Sequence, residues 1–161
     1  MNAIVTGSFD PMTMGHYELV KQACEKFDKV YVVALINAEK KHMFSLEQRK
    51  RIIELTISDF SNAIADAYDG LTADYMHKNG ITQIIRGIKN ENEIEYEKTL
   101  AMSMKEYDSS FETTFFICDE KYKDISSTVV RNLLNNNKSI EGYVHEKALI
   151  EINKLYYNNQ N

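Results

Sequence analysis

The first residues that could do chemistry lie in the segment Gly7-Ser8-Phe9-Asp10-Pro11-Met12-Thr13-Met14-Gly15-His16. Gly7 and Gly15 allow a ligand to approach the backbone closely, and Ser8 offers a hydroxyl and an amide. His16 is expected in the first turn of a following helix, where an imidazole near the positive end of the dipole can donate to a phosphate. On its own, such a histidine is more often a surface or capping residue, so the segment needs partners elsewhere in the chain.

Three other polar segments follow predicted strands: Asn37–Ser45 with its lysines, Ile84–Lys89, and Tyr122–Arg131. A Lys-Lys pair on a loop is ordinarily solvated, and serines or threonines that begin a helix are ordinary N-caps. The free amides and hydroxyls of such a helix start nevertheless suit phosphate oxygens. An arginine such as Arg86 can grip a phosphate through two parallel hydrogen bonds. Glu97, on an acidic helix, is by default exposed to solvent.

The elements that must position these residues alternate between strand and helix. Apolar and β-branched runs predict strands at Ala3–Val5, Val30–Ile36, Ala63–Ala67, Thr82–Ile85 and Thr113–Ile117. Period-3.6 patterns, caps and stops predict helices at Gly15–Phe27, from Ser45, at Leu71–Lys78, at Glu91–Tyr107, up to Asn135, and from Glu146.

Two of these helices have a predicted inward face, and the end of the chain is expected to fray. The helix from Ser45 would bury Leu46, Ile53, Ile57 and Phe60, and the Glu91–Tyr107 helix offers Ile94, Leu100, Ala101 and Met104. Asn158–Asn161 is predicted to be a frayed tail.

This alternation predicts an α/β fold, a Rossmann-like parallel sheet of about five strands with helices on both faces and a C-terminal helical segment. We expect a single domain over residues 1–161, because neither an internal repeat nor a linker is visible. Ligands of such sheets bind beyond the carboxyl ends of the strands, which is where the polar segments fall.

Composition excludes some classes of function. The net charge of −5 argues against a nucleic-acid partner, and no apolar run reaches the length of a membrane span. Because Met1–Ser8 reads as a strand without a basic leader, we expect a cytoplasmic protein. Cys24 and Cys118 are expected to be free thiols in a reducing compartment.

The segment Gly7–His16 resembles the (T/H)xGH signature of the nucleotidylyltransferases, with Thr13 and His16 at its outer positions. More narrowly, Ile4 to about Leu155 resembles the bacterial phosphopantetheine adenylyltransferases. This resemblance implies transfer of the adenylyl group of ATP to 4′-phosphopantetheine, giving dephospho-CoA and pyrophosphate in coenzyme A biosynthesis. It also implies Mg²⁺ carried with ATP, no protein-held metal, and a homohexamer.

The resemblance also carries roles to individual residues of this chain. It implies that His16 and Lys40 are catalytic, and that the acceptor is bound by Ser8, Lys40, Thr72 and Arg86. The residues implied to bind ATP are Ser8, Phe9, His16, Gly87, Ile88, Lys89, Glu97, Tyr122, Lys123, Asp124, Ile125, Ser126, Ser127 and Thr128. Lys89 stands where the family commonly has an arginine, so the charge is kept and the planar fork is lost.

Two alternatives remain open at the level of sequence. A nicotinate or nicotinamide mononucleotide adenylyltransferase shares the GxFDPxxxGH and ISSTxxR patterns, but Glu95-Tyr96-Glu97 and the IRG run with its basic residue favour phosphopantetheine. Cytidylyltransferases carry an RTEGIST-like run, from which Ile125–Thr128 departs. A non-catalytic ATP-binding module would need neither His16 nor Lys40 nor an anchor for an acceptor.

Overall fold

A computed structural model describes every residue from Met1 to Asn161. Five strands form one sheet in the order β3-β2-β1-β4-β5, and every neighbouring pair is parallel. The strands are β1 (Asn2–Gly7), β2 (Lys29–Leu35), β3 (Ala63–Tyr68), β4 (Gln83–Ile88) and β5 (Glu112–Ile117). The predicted α/β fold with about five parallel strands is confirmed.

Six helices connect and follow the strands. They are α1 (Met14–Lys26), α2 (Leu46–Thr56), α3 (Thr72–Asn79), α4 (Ile94–Tyr107), α5 (Ser127–Asn135) and α6 (Glu146–Gln160). Ser45 caps α2 by accepting the backbone N–H of Gln48, whose side chain accepts the N–H of Ser45 in return, so the predicted capping box is present. None of these helices is long and apolar enough to cross a membrane.

Each face of the sheet has its own apolar cluster, because successive residues of a strand point to opposite sides. In β1, Ala3 and Val5 belong to the larger cluster and Ile4 to the smaller. The larger cluster takes buried residues from α1, α2, α5 and α6, and the smaller takes them from α3. Helices therefore cover both faces, as predicted.

The chain's direction across the sheet reverses between β1 and β4. The first three strands build outward from β1 to β3, and β4 then returns to the other side of β1. This reversal opens a crevice at the carboxyl ends of β1 and β4, the place where open α/β sheets bind ligands. Strand β4 is longer than predicted and runs to Ile88, so Arg86 and Gly87 lie within the strand rather than after it.

One expectation about the helices was wrong. The tail does not fray: α6 continues to Gln160, and the Asn159 side chain exchanges two hydrogen bonds of 3.0 Å with the Gln48 side chain. The predicted inward face of α2 and the residues just after it is confirmed: Ile53 and Ile57 are buried, and Leu46 and Phe60 are partly buried against the same cluster. Arg49 is buried on this side as well.

Helix α4 also departs from its prediction. A short 3-10 turn over Glu91–Glu93 precedes it. Its one buried residue is Glu97, whereas Leu100 is exposed and Met104 is partly buried against the smaller cluster. The expected apolar face is therefore only partly covered within one chain. The Glu97 carboxylate is buried because it pairs with Arg86.

Candidate active site

Three cavities lie along the carboxyl edge of the sheet. The central cavity, of about 380 Å³, opens between β1 and β4 and is lined by His16, Arg86, Gly87, Lys89 and Glu97 among others. The α4 groove, of about 210 Å³, and the loop groove, of about 510 Å³, lie on either side of it. Arg86 lines all three, so they form one branched site with this guanidinium at the junction.

His16 is held by the start of helix α1. It occupies the third helical position, and its Nδ1 accepts the backbone N–H of Thr13 at 3.0 Å. A glutamate or glutamine ordinarily makes this reciprocal capping bond. Because Nδ1 is used as an acceptor, the ring proton of the neutral imidazole resides on Nε2, which remains available as a donor.

The protonation state of His16 follows from its surroundings. Burial, with a smaller contribution from the charge of Lys89, lowers the pKa of His16 from 6.5 to about 4. The imidazole is therefore neutral at pH 7. A neutral histidine with a fixed Nε2–H can donate a hydrogen bond to an anion that lies in the central cavity.

Phe9 supports the histidine from within the same loop. Its ring meets the His16 ring edge-on, with centroids 5.0 Å apart and planes at 79°. Phe9 is buried and has a φ of 47°, in the left-handed region that side-chain-bearing residues seldom adopt. Such strained residues concentrate at functional sites, where the surrounding structure holds them in place.

Arg86 is oriented by Glu97. Its Nε donates to Oε2 of Glu97 at 2.8 Å and its Nη2 donates to Oε1 at 2.9 Å. The carboxylate is only 7% exposed, and this bidentate pair raises the pKa of Arg86 further above its ordinary value. One edge of the guanidinium is thereby occupied, and the other edge, at Nη1, remains for a ligand.

Lys89 connects the central cavity to the segment before α5. Its Nζ donates to the carbonyl of Ile125 at 2.8 Å, and its backbone N–H donates to Glu93 at 2.7 Å. The positive charge of the ammonium also contributes, after burial, to the low pKa of His16. In this structure Lys89 both lines the cavity and ties the 119–126 segment to β4.

The start of α5 uses its hydroxyls inside the protein. Ser126 Oγ accepts the N–H of Val129 at 3.2 Å, Ser127 donates to the carbonyl of Pro11 at 2.7 Å, and Thr128 Oγ1 accepts from Arg131 at 3.1 Å. The backbone amides of Ser127 and Thr128 make no hydrogen bond within the chain. An anion at this helix start would therefore meet amides first.

The predicted site residues divide into two groups. Eight of them line the three cavities: Ser8, Phe9, His16, Thr72, Arg86, Gly87, Lys89 and Glu97. The others are Lys40, Ile88, Tyr122, Lys123, Asp124, Ile125, Ser126, Ser127 and Thr128, which line none of the three. Lys40 is exposed, and its ammonium has no hydrogen-bonding partner, although Ala38 and Glu39 of the same loop line the loop groove.

Two buried charged residues were missed by the sequence reading. Asp10, within the first motif, accepts the N–H groups of Met43 and Phe44 at 2.8 and 2.9 Å. Arg49 donates to three backbone carbonyls and carries a positive charge that Asp10 counters: burial lowers the pKa of Arg49, and Asp10 opposes that shift. Only one feature of the sequence could have indicated that Arg49 is buried: it lies three residues after Leu46 and four before Ile53, on the inward face of a helix.

The structure does not form a protein metal site. Three or more histidine, cysteine, aspartate or glutamate side chains do not come together anywhere in the chain in a way that could hold an ion. The positive groups at the site are those of Arg86, Lys89 and the start of α5, which are suited to anions.

Comparison with known proteins places the chain among nucleotidyltransferases. Residues 4–133 match the family described as cytidylyltransferase-like. The phosphopantetheine adenylyltransferase of Clostridium novyi (strain NT) is 39% identical over 154 residues, which cover 95% of this chain and 96% of that protein. Those of Shouchella clausii (strain KSM-K16) and Flavobacterium psychrophilum are 34% and 38% identical, again over more than nine-tenths of both chains.

A solved structure supports the fold. A protein from Vibrio parahaemolyticus, described as a nicotinate-nucleotide adenylyltransferase, superposes with a TM-score of 0.64 over 94% of this chain and 98% of its own. Its sequence identity of 21% makes this a likeness of fold alone.

Proposed function

The chain belongs to the phosphopantetheine adenylyltransferase family, and from that premise we propose how its site carries out the reaction. It is a nucleotidyltransferase that moves the adenylyl group of ATP to 4′-phosphopantetheine in coenzyme A biosynthesis. The observation that carries the assignment of roles is the junction at Arg86, where the central cavity, with its neutral His16, meets two grooves.

The reaction is a displacement at the α-phosphorus. An oxygen of the phosphopantetheine phosphate forms a bond to that phosphorus, and the bond to the oxygen that bridges to the β-phosphate breaks. Pyrophosphate leaves with the electron pair, and dephospho-CoA remains. Because the attacking phosphate is already anionic near neutral pH, the reaction needs no general base, and the site shows none aimed at an acceptor. Its obstacles are repulsion between anions and their alignment.

His16 reduces the repulsion between the anions by donating a hydrogen bond to the α-phosphate. Its Nε2–H points away from the capping bond, and the low pKa keeps it a neutral donor at physiological pH. A donor that is already oriented stabilises the charge that develops in the transition state without reorganisation. Lys40 adds a mobile positive charge from its exposed loop, whose neighbours Ala38 and Glu39 line the loop groove beside Ser8.

The acceptor is anchored by Arg86. Glu97 occupies one edge of the guanidinium, and the free edge binds the phosphate of phosphopantetheine. The pantetheine arm then lies in the α4 groove, where Thr72 shares the wall with Ile84 and Leu100. That groove is largely apolar or weakly polar, in keeping with an uncharged arm.

The nucleotide lies in the central cavity, and pyrophosphate leaves toward the start of α5. Phe9, Gly87 and Lys89 line the cavity, and the segment Tyr122–Thr128 lies beyond Lys89. The free amides of Ser127 and Thr128 bind phosphate oxygens at the positive end of the helix dipole. Mg²⁺ would come with ATP and would offset the charge of the phosphates, and no side chain of this chain is assigned to hold it.

Assembly and location complete the proposal. Tyr96 and Met102 of α4 are each 65% exposed and Leu100 is 36% exposed, so α4 presents apolar side chains without a partner in one chain. A homohexamer in the cytoplasm agrees with this surface and with the reducing surroundings that two free cysteines need.

A coupled assay for pyrophosphate release tests the function. The protein is mixed with ATP, Mg²⁺ and one acceptor at a time: phosphopantetheine, nicotinate mononucleotide or glycerol 3-phosphate. We expect turnover with phosphopantetheine alone. Turnover with nicotinate mononucleotide instead would favour the alternative adenylyltransferase, and ATP binding without turnover on any acceptor would leave a non-catalytic ATP-binding module.

A further inference from the structure

The loop that carries Lys40 is closed at its base by one buried side chain. Arg49 of α2, 2% exposed, donates from Nη1 to the carbonyl of Leu35 and from Nε to the carbonyl of Phe44, at 2.8 and 3.2 Å. Leu35 ends β2, and Phe44 lies just before the N-cap of α2. One guanidinium thus joins the two ends of the segment 36–43.

The same guanidinium reaches the first motif. Its Nη1 also donates to the carbonyl of Ser8 at 2.8 Å, and Ser8 lines the loop groove. Asp10, two residues further on, accepts the N–H groups of Met43 and Phe44. Phe44 is therefore held on both sides, by its N–H to Asp10 and by its carbonyl to Arg49.

Lys40 depends on this arrangement for its position. Its side chain is exposed and its ammonium has no partner within the chain. The turn is shaped by local bonds: the N–H of Lys40 donates to the carbonyl of Asn37, the N–H of Glu39 to Oδ1 of Asn37, and the N–H of Asn37 to Nε2 of His42. None of these local bonds connects the loop to Arg86 or His16. The bonds of Arg49 and Asp10 connect it to the end of β2 and to the first motif.

We propose that Arg49, with Asp10 as its counter-charge, is a positioning residue that sets the approach of Lys40 to the reacting phosphates. It touches neither substrate. Removing the guanidinium would release the carbonyls of Ser8, Leu35 and Phe44 together and let the loop open. This inference rests on the proposed function only for the role of Lys40, because the closure of the loop is a property of the free protein.

The test is a double-mutant cycle with Arg49→Met and Lys40→Ala in the full chain. We expect each single variant to lower kcat by about tenfold or more, and the double variant to be within about twofold of Lys40→Ala. Arg49→Lys keeps the charge without the fork and should fall between wild type and Arg49→Met. Arg51→Met is the matched control, because Arg51 is an exposed arginine on the same helix and should leave kcat unchanged.

A second readout does not depend on activity. Cleavage of the folded protein by the lysine-specific protease Lys-C after Lys40 and Lys41 reports how often the loop opens. We expect about tenfold faster cleavage in Arg49→Met and no change in Arg51→Met. If Arg49→Met does not fold, Asp10→Asn takes its place in both arms, because the N–H groups of Met43 and Phe44 bond different oxygens of Asp10 and an amide offers only one of them.

The outcomes separate the inference from the function. Additive losses of kcat in the cycle, or unchanged cleavage of the loop, would overturn the positioning role. A wild-type protein that is inactive with phosphopantetheine would refute the proposed function, and the cleavage rates would still decide whether Arg49 closes the loop.

Discussion

Arg86 and Glu97 lie on a strand and on the helix that follows it, and they meet in two parallel hydrogen bonds of 2.8 and 2.9 Å. The pair explains why the one buried residue of α4 is a glutamate. It also changes how Glu97 is understood. Resemblance implied a contact from Glu97 to the nucleotide, whereas both of its oxygens accept from Arg86, the residue proposed to anchor the acceptor.

Glu97→Gln should therefore act mainly on the acceptor. The amide loses the charge and one of the two acceptors, so Arg86 is no longer held in one orientation. We expect the KM for phosphopantetheine to rise about tenfold and the KM for ATP to change much less. Glu95→Gln, an exposed change on the same helix, is the control. A rise in the KM for ATP alone would show that Glu97 acts on the nucleotide and not on the acceptor.

His16 can be replaced in two ways that separate its roles. His16→Ala loses both the capping acceptor and the Nε2 donor, and we expect kcat to fall by about 10²–10³ while ATP still binds. His16→Gln can keep the acceptor for the Thr13 N–H, as in an ordinary capping box, and should preserve thermal stability better than alanine. Pyrophosphate release and thermal unfolding measure the two effects, and near-normal turnover of His16→Ala would refute the catalytic role.

Stability should depend on pH through His16. The folded protein lowers its pKa from 6.5 to about 4, so between these values the unfolded chain binds a proton that the folded chain does not. Stability contributed by the neutral imidazole is thus present above about pH 6.5 and is lost as pH falls toward 4. Urea unfolding at pH 7.5 and 5, followed by circular dichroism, should show a smaller loss on acidification in His16→Gln than in wild type.

Lys89→Met should raise the pKa of His16. The ammonium of Lys89 disfavours a second positive charge on His16, so its removal stabilises the imidazolium. An NMR titration of the His16 ring would measure the shift. An unchanged or lower pKa would mean that burial alone governs the histidine.

Gly87 is predicted to be intolerant of a side chain. A Cβ there would lie 3.3 Å from Sγ of Cys118, closer than an ordinary contact, and 3.4 Å from Cδ2 of Leu19, at the lower limit of one. We expect Gly87→Ala to cost about 1–3 kcal/mol of unfolding free energy. Cys118→Ala in the same chain should recover part of this loss. Gly15→Ala, where the nearest atom is 3.6 Å away, is the comparison and should not destabilise the protein.

The sequence predicts most of the fold because the patterns that carry it are local. Continuous apolar runs indicate the buried strands, and Ser45 with Gln48 or Asn79 with Gly80 indicate where α2 begins and α3 ends. The carboxyl end of β4 was predicted too early, because an arginine and a glycine ordinarily end a strand. Here the pairing with β5 continues to Ile88, next to a cavity that needs both residues.

The site was harder to predict where a residue's environment depends on distant partners. A lone arginine in a charged helix is expected in solvent, yet Arg49 is buried because carbonyls from three separate segments converge on it. The polar end of the chain predicts a frayed tail, but Asn159 is ordered by its hydrogen bond with Gln48 on another helix. Spacing within one helix carries no information about such partners.

The meeting of three cavities at Arg86 has a practical consequence for inhibitor design. A small molecule that fills only one cavity leaves the free edge of this guanidinium to water. A linear compound that runs from the central cavity into the α4 groove must pass Arg86 on the way, so an acidic group at its middle would find a partner there. The site thus favours a compound with a central acidic group that binds Arg86, one substituent in the central cavity and a different one in the α4 groove.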